Sequence, residues 1–115
     1  MENEESEVDV SGKYLEAFFQ LIADCKTAKE AKLVFGSFFS ESEQDSFAKR
    51  LNIWHLISQK STYQKIKDET KASSATIASA HKATGKEGFK KTIQLIEAEI
   101  WANSVTSKIK GIVGR

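Results

Sequence analysis

Proline is missing from all 115 residues. Its ring locks φ and removes a backbone donor, so its absence takes away the strongest helix breaker and tilts the chain toward an all-helical fold. Cysteine occurs once, at Cys25. A lone thiol makes neither an intramolecular disulfide nor a cysteine-built metal site. Its apolar neighbours read as a helix that keeps it buried and reduced. The two histidines, His55 and His81, stand far apart and lack the spacing of a helical zinc pair, so no metal is expected. No apolar run nears the roughly 20 residues that a membrane span needs. The opening "MENEESEVDV" has neither the basic start nor the apolar centre of a secretory leader. These absences point to a cytoplasmic protein without a membrane partner. Catalytic signatures are lacking too: there is no glycine-rich phosphate loop and no nucleophile elbow. Asp68 and Glu69 are neighbours on a helix and face different ways, so they form no carboxylate pair. No catalytic residue is assigned, no cofactor is expected, and the chain does not read as an enzyme.

What is present is globular. The length suits one domain with its own core, 40% of the residues are apolar, and seven Phe and two Trp can anchor that core. Net charge is only +1, but the two signs are segregated. Residues 1–59 carry six basic and eleven acidic side chains, whereas residues 60–115 carry eleven and five. A solvated helical surface explains charge but not its segregation; an anionic partner for the second half explains both.

Residues 1–11 are acidic and poor in apolar side chains, which reads as a disordered arm. From Tyr14, the residues Leu15, Phe18, Phe19, Ile22 and Cys25 recur at helical spacing. Thr27–Glu30 has the form of a capping box and starts a helix presenting Ala31, Val34, Phe35 and Phe38. Ser40–Glu43 is a second box, with Ser42 as a rival cap. It opens a longer helix with Phe47, Leu51, Trp54 and Ile57 on one face. Ser61–Gln64 reads as a third box before a short helix from about Thr62 to Thr70. Lys71–Ser73 makes a corner, and Ser73 or Ser74 caps a helix running to about Ala83. Gly85 suits a left-handed position between that helix and the last one. The last helix carries Phe89, Ile93, Ile96 and Ile100 on one stripe. Trp101, Val105, Ile109 and Ile112 then drift to a neighbouring stripe. Its expected length of about 20–25 residues and its apolar excess call for a second subunit as well as the home domain. The domain therefore spans 12–110, with a short tail at 111–115. The fold class is all-α, with about six helices.

The corner at residues 62–84 has the spacing of a helix-turn-helix, whose steeply crossed helices need apolar, small inner residues. Ile66, Ala72, Ile77 and Ala80 satisfy that pattern. Three positions depart from it. Lys67 stands where a small residue is commonest, Thr70 where an apolar one is expected, and Lys71 where glycine usually bends the chain. The outer face of the second helix (Ser74, Ala75, Thr76, Ala78, Ser79 and Lys82) is short enough to lie deep in a major groove. Lys60, Lys65, Lys67 and Lys71 precede it as phosphate-neutralising charges. An ordinary surface helix rich in Ser and Thr would look similar.

The run "FFSESEQDSFAKRLNIWHLISQKSTYQKIKDETKASSATIASAHKA" resembles the core of the Trp repressor family. A long helix with a central arginine, Arg50, is followed by a short helix and then by the step Ala75-Thr76-Ile77. The resemblance implies an intertwined helical homodimer that presents two recognition helices to a palindromic operator in double-stranded DNA. It assigns DNA contact to Tyr63, Gln64, Lys67, Ser74, Ala75, Thr76, Ala78 and Ser79. It also implies an effector site, at which Arg50 matches one of two arginines flanking L-tryptophan and Ser40 replaces a threonine. Here the second arginine position is Ser79, the glycine beside it is Ala80, and a serine one turn later is Ala83. Losing one guanidinium costs about 1.5–3 kcal/mol of charge-assisted contact, or roughly ten- to hundredfold in affinity. Tryptophan is therefore not expected to be the corepressor. Arg50 reads equally well as a surface ion-pair partner of Glu43 or Asp45. Two readings stand: a DNA-binding repressor, or a dimeric interaction module with a degenerate helix-turn-helix that engages protein through its last helix. RNA binding would want exposed aromatics for stacking, and only Tyr63 is so placed.

Overall fold

A computed structural model describes residues 2–113, with side chains described for residues 10–112. The elements are α1 (Glu2–Asp24), α2 (Ala28–Phe38), α3 (Glu41–Ser58), α4 (Tyr63–Thr70), α5 (Ser74–Ala83) and α6 (Glu87–Val113). The fold is all-α, and no strand occurs among the described residues. No helix there is long and apolar enough to cross a membrane.

The chain divides into two compact units, Met1–Asp45 and Ser46–Arg115. In the first, α1 starts at Glu2 rather than near residue 12, so the acidic stretch expected as an arm continues the helix. Acidic side chains suit a helix N-terminus, where the macrodipole is positive, and no Pro interrupts the stretch. Phe18 sits at the centre of a ring cluster, with Phe19, Phe35, Phe38 and Phe39 at centroid distances of 5.6–6.5 Å, all edge-on to it. Thr27 caps α2 by accepting from the Glu30 N–H at 3.1 Å. Ser40, not Ser42, caps α3 in a reciprocal box: its Oγ accepts from the Glu43 N–H, and its own N–H donates to Glu43 Oε1, both at 3.1 Å. Cys25 lies just past α1 and is free and only partly covered, not buried in a helix as its neighbours suggested. No described side chain in this unit is buried.

The second unit holds the core. Ile53, Leu56 and Ile57 of α3, Ile66 of α4, Ala72 of the corner, Ile77 and Ala80 of α5, and Phe89 of α6 are buried together. Trp54 and Ile93 pack against them, and the Trp54 ring meets Phe89 at 5.0 Å. His55 Nε2 and Glu97 Oε1 lie 2.8 Å apart and tie α3 to α6. The last helix runs 27 residues, longer than expected, and passes residue 110 into the stretch read as a tail. Residues 114–115 of that tail lie outside the described residues.

Candidate nucleic-acid interface

The corner is built by three local devices. The first ends α3. Lys60 takes the left-handed conformation at φ 61°. Its N–H donates to the Ile57 carbonyl, and the Ser61 N–H reaches back to the Leu56 carbonyl, each at 3.0 Å. This is the Schellman pairing, made with lysine where glycine is commonest. With the Ser61 N–H so engaged, it is not left for the Gln64 side chain to accept, and the cap of α4 is one residue further on. Thr62, not Ser61, accepts from the Lys65 N–H at 3.1 Å, and Gln64 instead donates to Asp68 Oδ1 at 2.8 Å.

The second device is the bend after α4. Lys71 sits at φ 57°, ψ 22°, the left-handed position where the helix-turn-helix pattern favours glycine. Thr70, which departs from that pattern, is 5% exposed and satisfies itself. Its hydroxyl donates to the Ile66 carbonyl at 2.7 Å and accepts from the Ala72 N–H at 3.3 Å. A threonine in an apolar slot is thus buried without an orphaned group. The third device is Ser73, whose Oγ accepts from the Thr76 N–H at 3.2 Å and starts α5.

With these in place, Ile66 and Ile77 become 0% and 1% exposed where the two helices cross. Burying an isoleucine is worth about 1.5–3 kcal/mol, so this pair holds the corner's shape. The outer face follows from the same register. Tyr63, Gln64, Lys67, Ser74, Ala75, Thr76, Ala78 and Ser79 are all exposed. Tyr63 and Ser74 join their hydroxyls at 2.5 Å, linking the first residue of α4 to the first of α5. Lys60, Lys65, Lys67, Lys71 and Lys82 are exposed on the same stretch, as is His81 near the end of α5. Chemically, the face offers hydroxyls and methyls from α5, with ammonium groups around them.

Between α3 and α5 lies a cavity of about 500 Å³, lined by Arg50, Ile53 and Trp54 of α3 and by Ala75, Thr76, Ser79, Ala80 and Ala83 of α5, so that Ala75, Thr76 and Ser79 belong both to the exposed face and to the cavity rim. It gathers three of the four candidate effector residues, Arg50, Ser79 and Ala83. The fourth, Ser40, belongs to the first unit and is engaged as the cap of α3. Glu43, one suggested ion-pair partner of Arg50, is engaged in the same box. Trp54, which helical spacing placed on an apolar face, and Ile53, which was not singled out from the sequence, are wall residues; nothing in their spacing tells a wall from a core position. Among the described residues, no group of three His, Cys, Asp or Glu side chains could hold a metal ion.

The family model described as "Trp repressor protein" matches residues 13–96. The chain belongs to the Trp repressor family. That is a family of DNA-binding regulators, and its match spans α2 to α5 entirely and parts of α1 and α6. The chain is 36% identical over 67 residues to the uncharacterized protein YerC of Bacillus subtilis (strain 168), a match covering 58% of this chain. It spans 64% of that relative's length. No solved structure matches. Outside the interface, Gly85, expected at a left-handed turn position, does not have positive φ. Thr84 stays right-handed with its hydroxyl on the His81 carbonyl at 2.8 Å, and the Lys86 N–H closes on the Ala83 carbonyl at 3.0 Å. The α5–α6 turn is therefore a tight right-handed one.

Proposed function

We propose that this Trp repressor family member is a sequence-specific repressor that binds palindromic operator DNA as a homodimer, with α5 in the major groove and without L-tryptophan. The corner carries the reading: its inner residues Ile66, Ala72, Ile77 and Ala80 are buried, while all eight candidate contact residues are exposed. A rigid cross of helices under a short-chained outer face suits a groove that an α-helix just fits. The surrounding lysines supply the phosphate neutralisation. A cytoplasmic location goes with this role.

The homodimer is supported by the first unit. It has no buried described side chain, and Tyr14, Leu15, Phe19, Ile22, Leu33 and Phe38 are 44–69% exposed. So many exposed large apolar side chains in one unit support an interface there. Independence from tryptophan is supported by the cavity, where Arg50 is the single charged lining residue. A carboxylate there meets one guanidinium, with Ser79, Ala80 and Ala83 on the opposite helix.

The test is fluorescence anisotropy of the purified protein on a duplex from its own upstream region and on a scrambled duplex. Both are titrated at several salt concentrations, with and without L-tryptophan. Binding should weaken with a log–log salt slope of about −0.9 per phosphate neutralised. Lys67→Ala should lower affinity for every duplex, and Thr76→Val should change preference among duplexes. Tryptophan should change neither. If the folded protein binds neither duplex at low salt, it is an interaction module and not a regulator of this kind.

A further inference from the structure

The last helix has two apolar sides. At roughly 100° per residue, Phe89, Ile93, Ile96 and Ile100 share one stripe, which begins at the core through buried Phe89 and packed Ile93. A second stripe lies roughly opposite: Leu95, Ala98, Ala102, Val105, Ile109 and Ile112. Its intervals alternate between three and four residues throughout, the a/d pattern of a coiled-coil seam. This refines the drift of Trp101, Val105, Ile109 and Ile112 seen in the sequence, since Leu95, Ala98 and Ala102 extend the seam back by a heptad and a half. Leu95, Ile109 and Ile112 are 59%, 54% and 74% exposed, and Trp101 beside them is 69% exposed. The family match ends at residue 96, so nearly all of the seam belongs to this chain's extension beyond it.

We infer that this seam pairs antiparallel with the same segment of a second copy of the chain. Two features select that occupant and that direction. First, the seam is self-complementary when reversed. With the two-fold axis between Asn103 and Ser104, Leu95 meets the partner's Ile112, Ala98 meets the partner's Ile109, and Ala102 meets the partner's Val105. Each layer joins an a to a d position, and two of the three set alanine against a branched side chain, which lets the helices approach closely. Second, the charges are polarised along the segment, with Glu97 and Glu99 at its start and Lys108 and Lys110 at its end. A parallel pairing stacks like charges at both ends. The antiparallel one puts Glu99 beside the partner's Lys110 on one flank and Glu97 beside the partner's Lys108 on the other, and it also opposes the helix dipoles. Such a two-fold contact closes on itself and does not propagate. This pairing does not depend on DNA binding.

Sedimentation equilibrium of the full chain at low salt tests it, with folding checked by circular dichroism. Glu99 and Lys110 are exposed and take no part in the His55–Glu97 tie, so their substitution spares the fold. Glu99→Lys alone and Lys110→Glu alone should each weaken one self-association step roughly tenfold, because both copies of the pair become repulsive. The double variant Glu99→Lys/Lys110→Glu should restore it, since reversal at both ends re-forms the attraction only in an antiparallel pair. Ile109→Asp should weaken the same step by roughly a hundredfold. Equal association by wild type and all four variants overturns the pairing. Single variants that weaken association without restoration by the double variant overturn its direction. DNA affinity, read separately by anisotropy, bears on neither outcome.

Discussion

Two lysines occupy backbone positions that glycine fills more comfortably. Lys60 and Lys71 both have positive φ, at 61° and 57°, and both flank α4. A non-glycine residue in that region costs about 1 kcal/mol. The strained positions are thus two of the lysines proposed to neutralise phosphate. Lys71→Gly should relieve the strain and raise the melting temperature by roughly 3–5 °C, measured by circular dichroism. The same change should weaken DNA binding and reduce the salt slope by about 0.9 for each half-site, measured by anisotropy. Neither bend could be read as left-handed from residue type, because Lys has no special tolerance for that region. At Gly85 the converse holds: glycine's freedom goes unused, and Thr84 caps the turn with its own hydroxyl. The buried state of Thr70 was equally illegible, since it depends on a hydroxyl finding the Ile66 carbonyl one turn back.

At the scale of elements, capping side chains decide where each helix starts, and the corner depends on one of them. Ser73 bridges the end of the bend and the first turn of α5, accepting from the Thr76 N–H and meeting the Thr76 hydroxyl at 2.9 Å. Ser73→Ala should cost about 1 kcal/mol of stability in chemical denaturation and loosen the turn that carries Ser74, Ala75 and Thr76. Hydrogen exchange should show faster amides there and unchanged ones in α3. Helix number and order were legible because apolar spacing and capping residues agree, and the inner residues of the corner because a 3.6-residue period leaves few choices. The extent of α1 was not, because an acidic composition suits both a disordered arm and a helix N-terminus. The cavity was legible only through family resemblance: its lining joins residues of α3 and α5, a pairing that local periodicity does not encode.

For the whole molecule, the two units differ in what they can sustain alone. The second has a buried core of isoleucines around the corner, whereas the first has rings that cover one another but no buried described side chain. Stability of the chain should therefore be tied to association. If so, the melting temperature rises with protein concentration, by roughly 3 °C for each tenfold increase. A melting temperature independent of concentration over two decades would mean that the first unit needs no partner. The tryptophans extend this difference into optics. Trp54 is partly covered, packed against Phe89 and lining the cavity, whereas Trp101 is 69% exposed beside the seam of α6. Ultraviolet emission from Trp101 should lie to the red and be open to collisional quenchers such as iodide, while Trp54 is shielded. The chain thus carries two native fluorophores that would report on different events: filling of the cavity between α3 and α5 would change one, and the proposed self-pairing of the last helix the other. A Trp101→Phe variant would separate the channels without any dye.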